Sequence, residues 1–225
     1  MASYLSAEDR AKVSAAVTAA ELTTSGEIVT VLADRSDGYT DIALWWATAA
    51  SFTAMSAMAL FPDFYLTKLD FLWGGWAHEW TRGEFVSLMI TFGLLKFVGM
   101  LLIQLWQPLK FWLIPPPVKT ARVHAQAIKH FKVGAERRTH GRTGVLLYLS
   151  MREHRAEIVA DEPIAAKVTA EVWGEAMADM LVEIKQGRIA DGLVAGVQDV
   201  AKVLSEHFPR AEDDQNELPD RLIEV

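Results

Sequence analysis

The chain has 225 residues, of which 51% are hydrophobic and 23% charged, with a formal net charge of −7 and no cysteine. That length suits one medium domain or two small ones, and the composition excludes a disordered chain. Without cysteine there is no disulfide framework, thiolate metal site or cysteine nucleophile, and the acidic balance argues against nucleic acid as the main partner.

In chain order, Ser6 followed by Asp9 forms an approximate capping box. Leu5, Val13, Val17, Ala20 and Leu22 give the helix that follows an apolar side, as far as about Thr23. Ser25-Gly26 breaks it, and the β-branched run Glu27–Ala33 predicts a strand. Ile42–Phe61 then runs twenty residues without an ionisable side chain, long enough at ~1.5 Å per residue to cross a hydrocarbon core of about 30 Å. Trp45 and Trp46 near one end and Phe61-Pro62 at the other suit interfacial anchoring. The segment from Pro62 to Glu84 is rich in aromatics and is expected to lie in the interface or dip back into it. Phe85–Leu105 is a second apolar span, broken only by Lys96 and Gln104. A charge inside a span is a functional-site candidate; snorkelling, or a span displaced toward Leu113, is the alternative for Lys96. The triple proline Pro115-Pro116-Pro117 should end any helix there.

Beyond the prolines, Val118 to about Arg138 carries Val123, Ala127, Ile128 and Phe131 at helical spacing. Gly144–Ser150 reads as a buried strand, and the turn Arg152-Glu153-His154 joins it to a second strand, Arg155–Asp161, as a hairpin. Ile164–Lys185 predicts one helix, stopped by Gly187, and Ile189–His207 predicts the last. The acidic end reads as an exposed tail, with Leu218, Leu222 and Ile223 available to dock it. The expected architecture is an α/β domain with a small mixed sheet, interrupted by a two-helix transmembrane hairpin. Residues 1–41 supply its first helix and strand, 42–114 the hairpin, 115–209 the remainder of the domain and 210–225 the tail.

The first forty residues are polar and periodic, with no basic region leading into an apolar one, so the first span does not read as a signal peptide. Between Pro62 and Glu84 there are two basic residues, Lys68 and Arg82, against eight from Trp106 to Arg142. Lys and Arg favour the cytoplasmic side, which places the protein in a bacterial inner membrane with both termini cytoplasmic and the loop 62–84 periplasmic. Lys110, Lys119, Arg122 and Lys129, following the second span, suit anionic lipid headgroups better than nucleic acid.

The segments TTSGEIVTVLADRSD, RTGVLLYLSMREHRAEIVAD and VWGEAM…IKQGRIADGLVAGVQDVAKVL resemble the TPM-domain family, in the right order and over most of the soluble part. The strand pair led by Arg142-Thr143-Gly144 and the Gly187-x-x-x-x-Gly192 pattern carry the resemblance most strongly. It implies an α/β/α sandwich and membrane association. For some members it implies acid phosphatase activity or divalent-cation binding, while many have no assigned activity. In the commoner layout a signal peptide precedes the domain and an anchor follows it; here the anchor interrupts the domain. Asp161-Glu162-Pro163 also stands where a glycine-rich segment usually follows the third strand.

Parallel first and second strands with an antiparallel third would gather Glu27, Arg142, Thr143, Asp161 and Glu162 at one edge of the sheet. Arginine beside carboxylates suits a phosphate-bearing ligand, and Glu27 and Asp161 suit Ca²⁺ or Mg²⁺. A surface salt bridge with Asp161 capping the next helix is the alternative. The opposite edge, with Asp34, Arg35, Ser36, Asp37, Arg152, Glu153 and His154, reads as solvated charges. No nucleophile–base pair stands out, so the leading expectation is a partner-binding or assembly module, as a homo-oligomer or with another membrane protein. The alternative is a membrane-tethered phosphatase or divalent-metal-dependent hydrolase.

Overall fold

The computed structural model describes residues 4–72, 79–134, 143–210, 218 and 220–225. The chain forms two compact units, one from Met1–Asp37 with Pro116–Val225 and one from Gly38–Pro115.

In the first unit, helix α1 (Ala7–Glu21) opens on a complete capping box. The Ser6 hydroxyl accepts from the Asp9 N–H at 3.0 Å, and the Asp9 carboxylate accepts from the Ser6 N–H at 3.1 Å. Strand β1 (Glu27–Ala33) pairs in parallel with β2 (Gly144–Ser150), from Glu27 opposite Gly144 to Ala33 opposite Ser150. Strand β3 (Arg155–Ala160) runs antiparallel to β2. Both β1 and β2 are buried along their whole length because helices cover both faces, which is why they are nearly continuous apolar runs. Ile28, Leu32, Val145, Leu147 and Leu149 pack into one layer with residues of α1, α8 (Ala170–Lys185) and α9 (Ile189–His207). Val29, Val31, Leu146 and Tyr148 pack on the opposite side with Val123, Ala127 and Phe131 of α6 (Pro116–Gly134). The result is the expected α/β fold with a small mixed sheet.

Three elements differ from expectation. The prolines begin a helix instead of only ending one: α6 starts at Pro116, where a missing N–H costs nothing because first-turn amides have no intrahelical partner. The helix expected over Ile164–Lys185 is divided into α7 (Glu162–Ala165) and α8, with Thr169 extended between them and Val168 buried. Apolar residues at 164, 168 and 172 keep helical spacing across that break, so periodicity does not reveal it. The chain end is also docked. A short strand, β4 (Ile223–Glu224), pairs in parallel with β1 on the side away from β2, giving the order β3-β2-β1-β4, and Leu218 and Leu222 are buried.

The second unit contains α2 (Thr40–Leu60), α3 (Pro62–Leu72), α4 (Arg82–Ile103) and α5 (Gln107–Leu113). Part of the expected interfacial loop is therefore helical, and residues 73–78 lie outside the described ones. Helix α4 has its own capping box at Thr81 and Glu84. Gly93 lets α4 approach α2 closely, since a Cβ there would stand 2.6 Å from the Met55 sulfur. The Gln104 amide donates to the Ala43 carbonyl at 3.1 Å. Both α2 and α4 are long and apolar enough to cross a membrane, and only 11% and 6% of their apolar windows are buried. Trp45, Phe52, Leu94, Leu95 and Leu102 stand exposed along them.

Candidate functional site

At the amino ends of β1 and β2, three of the expected site residues come together through the backbone. The Glu27 N–H donates to the Thr143 carbonyl at 3.1 Å, and the Thr143 hydroxyl donates to the Ser25 carbonyl at 2.9 Å. Asp161 is fixed twice to Gly144: its N–H donates to the Gly144 carbonyl, and its carboxylate accepts from the Gly144 N–H, both at 3.0 Å. The Glu27 carboxylate accepts from the Leu218 N–H at 3.2 Å. Glu27, Thr143 and Asp161 are all buried. Asp161 occupies the N-cap position of α7, yet its side chain makes no capping bond because it serves Gly144. Glu162 is exposed, and Arg142 lies outside the described residues.

Glu21 also belongs to this end. Its carboxyl accepts from the Ile28 N–H at 3.0 Å and is only 8% exposed. Burial pushes its pKa up to about 8; the bond from Ile28 opposes the shift, while Glu27 and Asp220 add to it. Asp220 in turn accepts from the Thr18 hydroxyl at 2.5 Å. The residue signal for Glu21 was its place four beyond Val17 and eight beyond Val13, on the buried stripe of α1. Among the described residues, no group of three or more His, Asp or Glu side chains is disposed to hold a metal ion.

The carboxyl ends of β1 and β2 are where ligands bind in open α/β sheets, and there the polar residues are ordered. Arg152 Nε donates to both oxygens of Asp34 at 3.0 Å, and the Tyr4 hydroxyl donates to Asp34 at 2.5 Å. Desolvation raises the Asp34 pKa, but the bonds from Tyr4 and Arg152 outweigh it and leave the carboxyl below its ordinary value. Beneath lies Glu153, 2% exposed, which accepts from the Ser36 N–H at 2.9 Å and the Ser150 hydroxyl at 2.6 Å. The Ser36 hydroxyl reaches Ser150 at 2.9 Å and Tyr148 at 3.1 Å. This end is thus a buried hydrogen-bonded network under an ion pair, where the residue types alone suggest solvated charges. Nothing in a Ser-Asp-Gly or Arg-Glu-His turn signals that burial.

Around it, Arg122 pairs with Asp37 at 3.2 Å, and His124 with Glu157 at 3.4 Å. His130 stacks on Tyr148 with ring centres 5.6 Å apart, and desolvation followed by the Lys129 charge lowers its pKa. Lys119 is lowered too, by desolvation and then by Arg155. Of the four expected lipid-facing cations, Lys119, Arg122 and Lys129 share α6 in the first unit. Lys110 belongs to the second unit, where it donates to the Gly38 carbonyl at 2.6 Å.

A family model of the TPM domain matches residues 119–203, from the first turn of α6 into α9. No curated protein matches the chain. The NMR structure of BA42 protein, from the psychrophilic bacterium Bizionia argentinensis, is similar with a TM-score of 0.57 at 18% identity, over 100% of this chain and 98% of that one. At that identity the likeness speaks to fold. The TPM-domain match thus falls on the α6-to-α9 segment of the α/β unit, which contains β2 and β3, and the BA42 likeness concerns the fold.

Proposed function

We propose that this is an integral protein of the bacterial inner membrane whose cytoplasmic TPM-like domain binds a partner or assembles with further copies. The observation that carries the reading is the bare surface of α2 and α4. A soluble core helix of that length would be mostly covered, whereas these are 11% and 6% buried in their apolar windows. Eight basic residues after the second span against two in the 62–84 segment support cytoplasmic termini. Lys119, Arg122 and Lys129 give α6 the charge to meet anionic headgroups. The module reading is favoured over a metal-dependent hydrolase because the Glu27 and Asp161 carboxylates already accept backbone amides.

A reporter fused after Val225 should be active only in its cytoplasmic form; a periplasmic C-terminus would overturn the orientation. Calcium and magnesium titrated into the purified protein should give no binding heat that Asp161→Ala removes. A heat abolished by that substitution, together with hydrolysis of a phosphate ester, would favour the hydrolase.

A further inference from the structure

Lys96 is the one ionisable side chain within the two apolar runs Ile42–Phe61 and Phe85–Leu105. It borders a groove of about 580 Å³ in the second unit, lined among others by Trp46, Ala50, Ala54, Phe92 and Met100, and ending near Ala57. From Trp46 to Ala57 along α2 is roughly 16 Å at ~1.5 Å per residue. The open space over that length, about 1030 Å³, is roughly 8 Å across, narrower than a helix at ~10 Å and wide enough for a hydrocarbon chain. Its size falls among small-molecule sites.

The polar side chains among the lining residues are Thr53, Tyr65, Lys96 and Trp46, whose indole N–H donates to the Leu113 carbonyl at 3.0 Å, and the Lys96 ammonium lies 5.1 Å from the centre of the Phe92 ring. A ring face softens a cation's desolvation without neutralising it. Seven residues of α4 follow Lys96 before the helix ends at Ile103, ~10 Å of rise and more than a lysine side chain covers. Ile42–Phe61 and Phe85–Leu105 contain no carboxylate, so neither this hairpin nor that of a second copy supplies the anion within its apolar run. An intact phospholipid brings two chains and a phosphate held in the headgroup layer. A fatty acid brings one chain and a carboxylate that can follow it into the groove.

We propose that this groove binds the chain of a long-chain fatty acid with its carboxylate paired to Lys96, a proposal that rests on the membrane reading above. Alkaline carbonate extraction of membranes separates the two. If the protein is released, the membrane reading falls and the proposal with it. If it is retained, the full chain in phosphatidylcholine nanodiscs is photolabelled with a diazirine analogue of palmitic acid or of hexadecanol. The acid should label several-fold more than the alcohol, within residues 46–57 or 92–100. Lys96→Met should bring the acid down to the level of the alcohol, and Lys96→Arg should keep the preference. Ala54→Phe, which fills the groove and spares the charge, should lower labelling by both. Equal labelling by acid and alcohol, wild-type labelling of Lys96→Met, or displacement of the probe by phosphatidylglycerol but not by free palmitate would overturn the proposal.

Discussion

Glu21 is the residue whose chemistry departs furthest from its type. Its carboxyl is held protonated to about pH 8 in the folded chain, against an ordinary value of 4.5. Between those values the folded state keeps a proton that the unfolded state has released, so stability falls as pH rises through that window and levels off above it. Gln keeps the acceptor for the Ile28 N–H and removes the ionisation. Glu21→Gln should therefore melt with the wild type near pH 5 and be more stable at pH 8.5, by less than the about 5 kcal/mol that the full shift gives at ~1.4 kcal/mol per pKa unit, because local relaxation and the partial exposure of the group reduce it. Thermal midpoints measured across that range would show the two curves diverging; parallel curves would sink the idea. Asp161 and Glu27 accept backbone amides of neighbouring segments, from Gly144 and Leu218, and so tie the amino ends of the strands to what lies beside them.

At the scale of elements, the two glycines that mark the turn into α9 have separate physical reasons. Gly187 has φ +81°, which an L side chain rarely adopts, and it stops α8. Gly192 has an ordinary backbone, but a Cβ there would stand 2.6 Å from Ile184 Cγ1 and 2.7 Å from the Met180 carbonyl oxygen. Gly192→Ala should cost about 1–3 kcal/mol through overpacking of α8 on α9, despite the better helix propensity of Ala. Gly174, in the same α8 with nothing within 4 Å of its would-be Cβ, should gain up to ~1 kcal/mol from the same change. Opposite signs in denaturant melts would confirm the close approach. The boundaries of β1, β2 and α9 were legible because double-sided burial writes a continuous apolar run and because glycine flanks the helix. The division of α7 from α8 was not, since the apolar spacing runs unbroken through Val168. The meeting of Glu27, Thr143 and Asp161 at the amino ends of the strands was legible from strand direction; the carboxyl-end network was not, because Glu153 is buried by the fold around it and not by its neighbours in sequence.

For the whole molecule, the last residues matter more than their acidity suggests. Strand β4 pairs with only two residues of β1, yet Val225 exchanges bonds with Leu32 and Asp34, and Leu218 and Leu222 enter the core. A chain stopped after Arg210 would lose those side chains, leave the Glu27 carboxylate without the Leu218 N–H and bare the outer edge of β1. It should lose at least about 3 kcal/mol from the two leucines and aggregate more readily through the open edge. Light scattering and a lowered melting midpoint would register this; an unchanged midpoint would mean the end is dispensable.

The parallel pairing of β1 with β2 also imposes a schedule on synthesis. Glu27 and its partner Gly144 are 117 positions apart, roughly 6–23 s of translation at ~5–20 residues per second. Throughout that interval both apolar spans leave the ribosome while β1, a seven-residue strand buried on all sides in the finished fold, has no sheet to join. The nascent chain therefore exposes both apolar spans before β1 has its parallel neighbour, and β1 is open to non-native pairing for those seconds.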